Sequence, residues 1–517
     1  MAQPIKRIVV VGGGTAGWLT AGTIAAAHKS EHPGRIEVTL VESPDIPIIG
    51  VGEGTWPTMR RTLEQMGISE TDFIRECDAT FKQGADFRQW VSGQLGDHYY
   101  HPLVLPAGFQ DTNLVPHWQA DPDRSAFADT VSAQPGICDK GRAPKQITTP
   151  EFAGVENYAY HLNAGKFAGF LQRHCTSKLG VRHVLANVQA IESAENGDIA
   201  SVRTDRAGDL EGDLFIDCTG FRSLLLGQHY GVRFITKSDV LFIDTALAVQ
   251  VPYENQETEM ASHTISTAQS SGWIWDIGLS TRRGVGHVYS SAHISEDAAL
   301  EELRSYLRPR VPHIDQMDVR KIPIVSGHRE RFWVNNCVAV GLSAGFLEPL
   351  EASALVLVEL SAQMIAQQLP VDRAAMDIVA SRFNKKFRYR WDRIIDFLKL
   401  HYVLTKRTDS TFWTDNCRSE TIPDSLQELL KLWRYQYPWH GDFDQKDEVF
   451  PAASYQYVLY GMGFETAASH LGHGETDRRS AHAHMASVAE RKAQLLSQLP
   501  GNRELINKIK QFGLQRI

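Results

Sequence analysis

Three glycines near the start of the chain have the spacing that lets a peptide backbone approach a phosphate. Gly12, Gly14 and Gly17 form a GxGxxG pattern between the apolar run RIVVVGG and the alanine-rich run TAGWLTAGTIAAAHK. In such a turn the first glycine permits a tight bend, the second lets a pyrophosphate approach, and the third lets helix and strand pack closely. The helix then faces the phosphates with unpaired N–H groups and a positive dipole end. The pattern predicts a dinucleotide site.

An acidic residue at the end of the next apolar run supports this prediction. Glu42 closes the run RIEVTLVES, where a carboxylate can accept hydrogen bonds from ribose hydroxyls. Thr15 and Ala16 complete the glycine turn. We therefore predict a strand, a helix and a second strand over residues 7 to 42, with the cofactor at the first turn.

Composition excludes several other classes of protein. The 517 residues carry a net charge of -8, with 43% apolar and 22% charged residues, so no overall positive field attracts nucleic acid or anionic membrane. None of the six cysteines is paired at CxxC spacing, which argues against a zinc site or a disulfide framework. His98 and His101 alone are too few ligands for a metal. Without a signal segment or an apolar span, we expect a cytoplasmic enzyme.

The elements that must position these residues follow from the hydrophobic pattern. Residues from about 95 to 150 are rich in loops, and residues from about 240 to 330 alternate like the strands of a second sheet. After about 370 the chain is mostly helical, with a final helix from about Ala486. We predict an α/β fold in which residues 1–370 form a cofactor-binding module with those two insertions, and residues 371–517 form a helical region.

Two later segments distinguish between the dinucleotides. GDLFIDCTGFRS, ending at Ser223, and CVAVGLSAGF both resemble nucleotide-side segments of FAD-dependent monooxygenases, and the second includes Gly341. This resemblance implies FAD and a Rossmann-like domain of the flavin monooxygenase type. No second GxGxxG pattern is present, so we expect reduced FAD to come from a separate NAD(P)H-dependent flavin reductase.

Three further stretches resemble the flavin-dependent tryptophan halogenase family: SGWIWDIGL, ATFKQGADFRQW and GLSAGFLEPLEASA. The first places Trp273 and Trp275 two residues apart, as in the family signature Trp-x-Trp-x-Ile-Pro, with Gly278 in place of the proline. In that family the paired indoles lie near the flavin and keep the substrate away from it. The resemblance spans nearly the whole chain, and the motifs occur in the family's order.

The resemblance also implies the catalytic residues. Lys82 matches the family's active-site lysine, which receives hypohalous acid by hydrogen bonding or as a chloramine. A lysine among apolar groups has a lowered pKa and can act as a donor or a nucleophile. Glu351 matches the catalytic carboxylate, which polarises the halogenating species and removes the proton of the aromatic ring.

The remaining site residues follow in the same way. Ser353 and Ala354 match the backbone positions that bind halide, at a helix N-terminus suited to anions. The segment IIGVGEGTWPTM resembles a flavin-side loop, and Leu347 lies in the third matching stretch. His101 matches a histidine near the substrate. The flavin-side loop contributes Gly50, Val51 and Gly52.

The implied function is an FADH2-dependent halogenase that uses O2 and chloride or bromide on an indole-type substrate. Phe450 and Pro451 stand where enzymes acting on free tryptophan tend to have a Phe-Trp pair, which weakens the case for free tryptophan. Two alternatives remain: an FAD-dependent aromatic monooxygenase, and a non-catalytic protein that binds flavin or indole. Assembly as a homodimer is left open.

Overall fold

The computed structural model describes residues 4–29, 36–46, 52–121, 123–467 and 475–516. The chain divides into two compact units, each built from three separate segments. The first unit comprises Met1–Ala79, Leu162–Lys237 and Val325–Trp391. The second unit comprises Thr80–His161, Ser238–Ile324 and Asp392–Ile517.

Most strands are short, and they are numbered along the chain. Their bounds are β1 Arg7–Val11, β2 Glu37–Glu42, β3 Glu53–Gly54, β4 Thr80–Lys82, β5 Gly84–Arg88, β6 His98–Pro102, β7 Ala159–Leu162, β8 Arg182–Leu185, β9 Val188–Ser193, β10 Ile199–Thr204, β11 Asp209–Glu211, β12 Leu214–Asp217, β13 Phe234–Thr236, β14 Thr245–Pro252, β15 Thr264–Ala268, β16 Gly272–Gly278, β17 Arg282–Tyr289, β18 Arg320–Pro323, β19 Gly327–Arg329, β20 Trp333–Val334, β21 Cys337–Ala339 and β22 Gly345–Phe346.

The helices are concentrated in the last third of the chain. Their bounds are α1 Thr15–Ala27, α2 Thr58–Gln65, α3 Glu70–Glu76, α4 Val115–Gln119, α5 Phe127–Val131, α6 Gln134–Asp139, α7 Ala164–Lys178, α8 Glu296–Leu307, α9 Ser353–Gln367, α10 Arg373–Val403, α11 Thr411–Asn416, α12 Asp424–Trp433, α13 Ala452–Gly461, α14 Glu475–Gln498 and α15 Asn502–Phe512.

A six-stranded sheet in the order β20-β21-β12-β1-β2-β8 organises the first unit. All its pairings are parallel except the hairpin of β20 and β21. In the centre, Val10 of β1 lies between Ile216 of β12 and Leu40 of β2. Helix α1 packs against α7 and α9. The apolar run of β1 is typical of a parallel strand buried on both faces, and the predicted strand, helix and strand over residues 7 to 42 are confirmed.

A seven-stranded sheet in the order β18-β14-β17-β16-β15-β5-β6 organises the second unit. Its pairings are antiparallel except that of β15 with β5. Helix α8 covers one face, where Leu303 and Leu307 pack in a cluster with Ile274 and Val285. The expected second sheet over residues 240 to 330 is confirmed, and so is the α/β fold class.

The chain after residue 370 is mainly helical, as expected, but its end differs from the sequence prediction. The final helical region begins at Glu475, before the predicted start at Ala486, and a break at Pro500 and Gly501 separates α14 from α15. Proline lacks the N–H that would continue the helix, which accounts for the break. Among the described helices, none combines the length and the apolarity that a bilayer crossing requires.

Candidate active site

The glycine turn of the first unit is packed tightly at two positions and open at the third. A Cβ atom at Gly12, whose φ is +118°, would lie 2.1 Å from the Cys218 carbonyl oxygen, and one at Gly17 would lie 1.9 Å from the Gly12 oxygen. A Cβ atom at Gly14 would meet no atom of the described residues within 4 Å. Gly14 is also the N-cap of α1, without a side-chain capping bond, so Thr15 and Ala16 open the helix beside free space. The turn therefore fits a phosphate cradle.

Glu42 lies beside this turn, at the end of β2. Its side chain covers Gly13, because a Cβ atom there would lie 2.1 Å from the Glu42 carboxyl carbon. Its Oε2 is buried 3.0 Å from His183 Nε2, yet within the described part of the chain neither atom makes a hydrogen bond of good geometry. A buried acceptor without a donor is costly, and a ribose hydroxyl would supply one. Glu42 therefore fits the predicted role.

The two later flavin-like segments converge on the same turn. Asp217, at the end of β12, accepts hydrogen bonds from the backbone N–H groups of Leu225 and Leu226 at 2.9 and 2.8 Å, which fixes the loop after the strand. Gly341 follows β21, and a Cβ atom there would lie 2.7 Å from the Ala16 Cβ. The carboxyl ends of β1, β12 and β21 thus meet at one edge of the parallel sheet, the usual place for a ligand in such folds.

The remaining expected cofactor residues are Leu347 and three residues of the flavin-side loop. Leu347 is buried just after β22. Gly52 has φ +154°, while Gly50 and Val51 lie outside the described residues. The assignment of Gly50, Val51 and Gly52 to the flavin-side loop, and of Leu347 to the cofactor site, stays a prediction.

Glu351 and the expected halide residues lie at the start of α9. Ser353 is the first residue of this 15-residue helix, Ala354 is the second, and the Ala352 N-cap has a left-handed backbone with φ +53°. The Trp56 indole N–H donates to the Glu351 carbonyl oxygen at 2.9 Å, and the Glu351 side chain is buried. The helix N-terminus presents backbone N–H groups suited to an anion.

Paired tryptophans lie on the face of the second-unit sheet that is opposite to α8. Trp275 opposes Ser266 across β16 and β15, whereas Ile274 opposes Thr267 and packs towards α8. Gly286 makes room for one indole, because a Cβ atom there would lie 2.1 Å from the Trp275 ring. Both tryptophans are buried, and within the described residues neither indole N–H has a hydrogen-bond partner. Such buried donors are uncommon in an ordinary core.

His101 lies on the same face as Trp275, which we call the tryptophan face. Thr264 is two residues before Ser266, and therefore points to the same side. The register then places Ala85 level with Thr264, and His101 opposite Ala85. Strand alternation and register together thus place a histidine and an indole that are far apart in sequence on one face of the sheet.

Around His101 the helices of the C-terminal region supply aromatic and polar neighbours. His101 Nε2 lies 3.0 Å from the Ser454 hydroxyl, and its ring centroid is 6.3 Å from that of Phe450. Phe450 stacks on Phe397 at 3.8 Å between centroids. Pro451 is the N-cap of α13, three residues before Ser454. The structure therefore brings His101, Phe450 and Pro451 into one region of the second unit.

Lys82 ends β4 and is only 4% exposed. Thr80, on the same face of β4, donates its hydroxyl to the carbonyl oxygen of Gly278, the residue that replaces the family's proline. The opposing strand β7 carries His161, whose Nε2 lies 2.8 Å from the Thr264 hydroxyl. The strand of Lys82 therefore pairs with β7, and β7 contacts Thr264 of the tryptophan face through His161.

The expected residues thus fall into two groups. The glycine turn, Glu42, Glu351 and the halide positions belong to the first unit, and Lys82 with the substrate-side residues belongs to the second. In the described ranges no three His, Cys, Asp or Glu side chains are arranged to hold a metal ion. The sequence did not single out Trp56, His161 or Ser454, although Trp56 is part of a motif already recognised.

Comparisons with known proteins agree with these features. The tryptophan halogenase family matches residues 7–476. Tryptophan 7-halogenase RebH of Lentzea aerocolonigenes is 32% identical over 98% of this chain and 99% of its own.

Solved structures give the same result. A tryptophan halogenase from Shewanella frigidimarina NCIMB 400 is 47% identical, with a TM-score of 0.97 over 100% of this chain and 99% of its own. BrvH, a flavin-dependent halogenase from Brevundimonas sp. BAL3, is 31% identical, with a TM-score of 0.84 over 98% of this chain and 99% of its own. These relatives favour a halogenase over an aromatic monooxygenase or a non-catalytic binding protein.

Proposed function

Because this chain belongs to the tryptophan halogenase family, and is therefore a flavin-dependent halogenase, we propose that Lys82 and Glu351 direct an electrophilic halogen onto an indole-type ring. The observation that carries this proposal is the burial of Lys82, a cationic side chain, in the unit that also holds the paired tryptophans and His101. A buried cationic side chain is costly, and it is retained where it is paired, as in a structural role, or where it serves a function.

The first unit would hold FAD through Gly12, Gly14 and Gly17, with Glu42 at the ribose. Two features of the described residues support this assignment: the space beside Gly14, and the buried Glu42 Oε2, which makes no hydrogen bond of good geometry there. Reduced FAD, when bound, would supply the chemistry that turns O2 and halide into hypohalous acid. The residues of this chain bind and orient that oxidant and the substrate.

Halide binding is assigned to the start of α9. The backbone N–H groups of Ser353 and Ala354 are at the positive end of a 15-residue helix dipole. Neither side chain is needed for this role, because the donors belong to the backbone. Chloride and bromide both fit such a site.

Lys82 would hold hypohalous acid by donating a hydrogen bond, or as a chloramine. The aromatic carbon attacks the halogen as the O–X bond of the hypohalous acid or the N–X bond of the chloramine breaks, and the leaving group takes a proton to become water or the free amine. The halogenated ring then carries a positive charge until it loses a proton. Glu351 would accept that proton, since electrophilic substitution is completed by a base. The paired tryptophans would keep the ring away from the flavin, so that the ring meets the oxidant in a restricted position, which limits the carbon that reacts.

Two substitutions test these roles. Lys82→Ala and Glu351→Gln should each reduce halogenated product by about 100-fold or more, because about 100-fold is the smallest rate contribution typical of a positioned proton-transfer group. Oxidation of reduced FAD should continue in both variants, because neither residue is assigned to it. Product is measured by mass spectrometry with an indole panel, chemically reduced FAD, O2 and chloride or bromide.

Matched controls separate chemistry from folding. Lys145 is another buried lysine of the second unit, whose ammonium donates to the Pro150 carbonyl oxygen at 2.7 Å. Lys145→Met should lower stability and leave the product yield per folded molecule unchanged. Full halogenation by both the Lys82 and the Glu351 variants would contradict the assigned roles.

For the substrate, we propose indole or a substituted indole in preference to free tryptophan. The relatives are named for tryptophan, but Pro451 cannot supply an aromatic wall. A buried ammonium and carboxylate need paired groups, which a tail-less indole does not require. The reduced flavin would come from a separate reductase. A cytoplasmic location and a homodimer remain sequence-based expectations.

A further inference from the structure

Lys82 belongs to a buried group of three basic side chains, which we call the lysine–histidine cluster: Lys82, His161 and His263. The register of β4 and β7 opposes Thr80 to His161 and Lys82 to Ala159. Thr80 and Lys82 point to one side of β4, so His161 is the diagonal neighbour of Lys82 on the same face. All three side chains of the cluster are buried, and His161 is 0% exposed.

His161 is held at one ring nitrogen only. Its Nε2 lies 2.8 Å from the Thr264 hydroxyl, and its Nδ1 is a buried atom without a hydrogen-bond partner among the described residues. Thr264 fixes the plane of the ring, and therefore the direction of Nδ1. A buried ring nitrogen without a partner needs an explanation, because the desolvation of such an atom is not repaid.

Electrostatics make this histidine neutral. Burial, then the charge of Lys82 and then that of His263, hold the pKa of His161 well below its usual range. Burial likewise lowers the pKa of His263 to about 4. Two desolvated cations so close together would repel each other strongly, so the cluster accommodates one positive charge.

We infer that His161 is a positioning residue for Lys82: its neutral ring gives the Lys82 ammonium a polar neighbour and thereby sets whether the amine keeps its proton. This inference rests on the proposed function of Lys82. The protonated amine is the stronger, charge-assisted donor to hypohalous acid. Only the neutral amine can attack the halogen to form a chloramine, a step in which the O–X bond breaks and the hydroxyl group leaves as water with a proton of the amine. Control of that proton therefore selects between the two forms of the oxidant.

Other charged groups act on this cluster from neighbouring elements. Asp86 and Arg88 of β5, Asp139 of α6 and Asp276 of β16 act on His263, where the acids raise its pKa and the arginine lowers it. Asp86 is itself held by Arg88 and His98. These groups are common to every variant below, so their contribution cancels in the comparison.

A direct measurement of the lysine tests the inference without relying on catalysis. The full-length protein is labelled with [13Cε]lysine, and the Lys82 signal is assigned by its absence in Lys82→Arg. We expect His161→Phe to lower the measured pKa of Lys82 by about one pH unit, because an apolar ring replaces a polar one around a buried ammonium. His161→Gln keeps a polar group and should leave that pKa near the wild-type value.

The pH profile of halogenation gives a second readout. With chemically reduced FAD, the limb of the pH profile that reports Lys82 protonation should shift in His161→Phe by the same amount as the measured pKa. In His161→Gln this limb should lie near its wild-type position. His287→Phe is the matched control. His287 is also 0% exposed and neutral, but its Nδ1 lies 3.0 Å from the Ala299 carbonyl oxygen on the α8 face.

The outcomes are distinct. An unchanged Lys82 titration in His161→Phe, or an equal shift in His287→Phe, would overturn the inference. Full halogenation by Lys82→Ala would instead overturn the proposed function, while the coupling between His161 and Lys82 could still be measured. A shifted titration with an unshifted pH profile would show that Lys82 protonation does not control the reaction, which also contradicts the inference.

Discussion

At the scale of single residues, the turn before α9 holds backbone strain beside the candidate base. Ala352 has φ +53°, which costs a non-glycine residue about 1 kcal/mol. The Ala352 N–H donates to the Pro349 carbonyl oxygen at 3.0 Å, and the Trp56 indole N–H donates to the carbonyl oxygen of Glu351, the residue before Ala352. Ser353 and Ala354 are already ordinary helical residues, so the strain is confined to Ala352.

Gly14 offers a test of the cofactor site that does not disturb the fold. Its backbone is extended and a Cβ atom would meet no described residue within 4 Å, so Gly14→Ala should fold with an unchanged Tm. The added methyl group would occupy the space that a pyrophosphate approaches, and the Kd for FAD should rise by about tenfold or more. Titration of FAD fluorescence measures this.

The matched control for that test is Gly441→Ala in the second unit. A Cβ atom at Gly441 would likewise meet nothing within 4 Å in the described part of the chain. This variant should bind FAD as the wild type does. Equal FAD affinity in the wild type, Gly14→Ala and Gly441→Ala would show that FAD does not bind at the glycine turn.

Glu359 predicts a pH dependence of stability. This buried side chain of α9 accepts hydrogen bonds from the hydroxyls of Thr58 and Thr62 at 3.2 and 2.6 Å, and burial raises its pKa from about 4.5 to about 8. Between these values the folded protein holds a proton that the unfolded chain has released. The free energy of unfolding should therefore fall as pH rises through this window, by about 1 kcal/mol for each pH unit.

Glu359→Gln removes this titration and keeps both hydrogen-bonding positions. The stability of this variant relative to the wild type should increase from pH 5 to pH 8, as measured by urea unfolding. Parallel stability curves would show that Glu359 is ionised in the folded protein. Because Glu359 has no assigned role in halogen transfer, the variant also serves as a control for Glu351→Gln.

At the scale of elements, the start of α13 determines the shape of the region near His101. Pro451 has φ -69° and ψ 167°, and its carbonyl oxygen accepts from the Ser454 N–H at 2.8 Å. Proline is suited to a helix start because the N–H that it lacks has no helical partner there. The same residue that begins the helix therefore leaves this position without an aromatic surface.

Substrate preference should follow from that element. We expect indole to exceed free tryptophan in kcat/KM by roughly tenfold or more under the same halide and reductant. Pro451→Trp should narrow the gap, since it restores an aromatic side chain at the helix start. A clear preference of the wild type for free tryptophan would contradict the role given to Pro451.

At the scale of the whole molecule, the number of dinucleotide sites predicts a dependence on another protein. The chain contains one GxGxxG pattern, which the proposed flavin site accounts for. NADH alone should therefore give no halogenated product, and addition of a flavin reductase that supplies reduced FAD should restore it. Steady oxidation of NADH by the purified chain, followed by its ultraviolet absorbance, would be incompatible with this prediction.

The sequence alone determined the class of protein and most of the candidate residues. Glycine spacing, an acid at a strand end and the tryptophan pair each depend on local order along the chain. Such patterns can be read without coordinates because the physical requirement, a tight turn or a shared strand face, is local too. The α/β fold and the helical C-terminal region were predictable for the same reason.

Only the tertiary structure decided which distant residues are neighbours. His161 is 79 residues from Lys82 in sequence, and Ser454 is 353 residues from His101. Strand register and helix packing create these contacts, and neither follows from the periodicity of one segment. The pKa values of His161 and Glu359 depend on burial, which belongs to the folded molecule. Local order therefore specified the chemical groups, and long-range packing specified their surroundings.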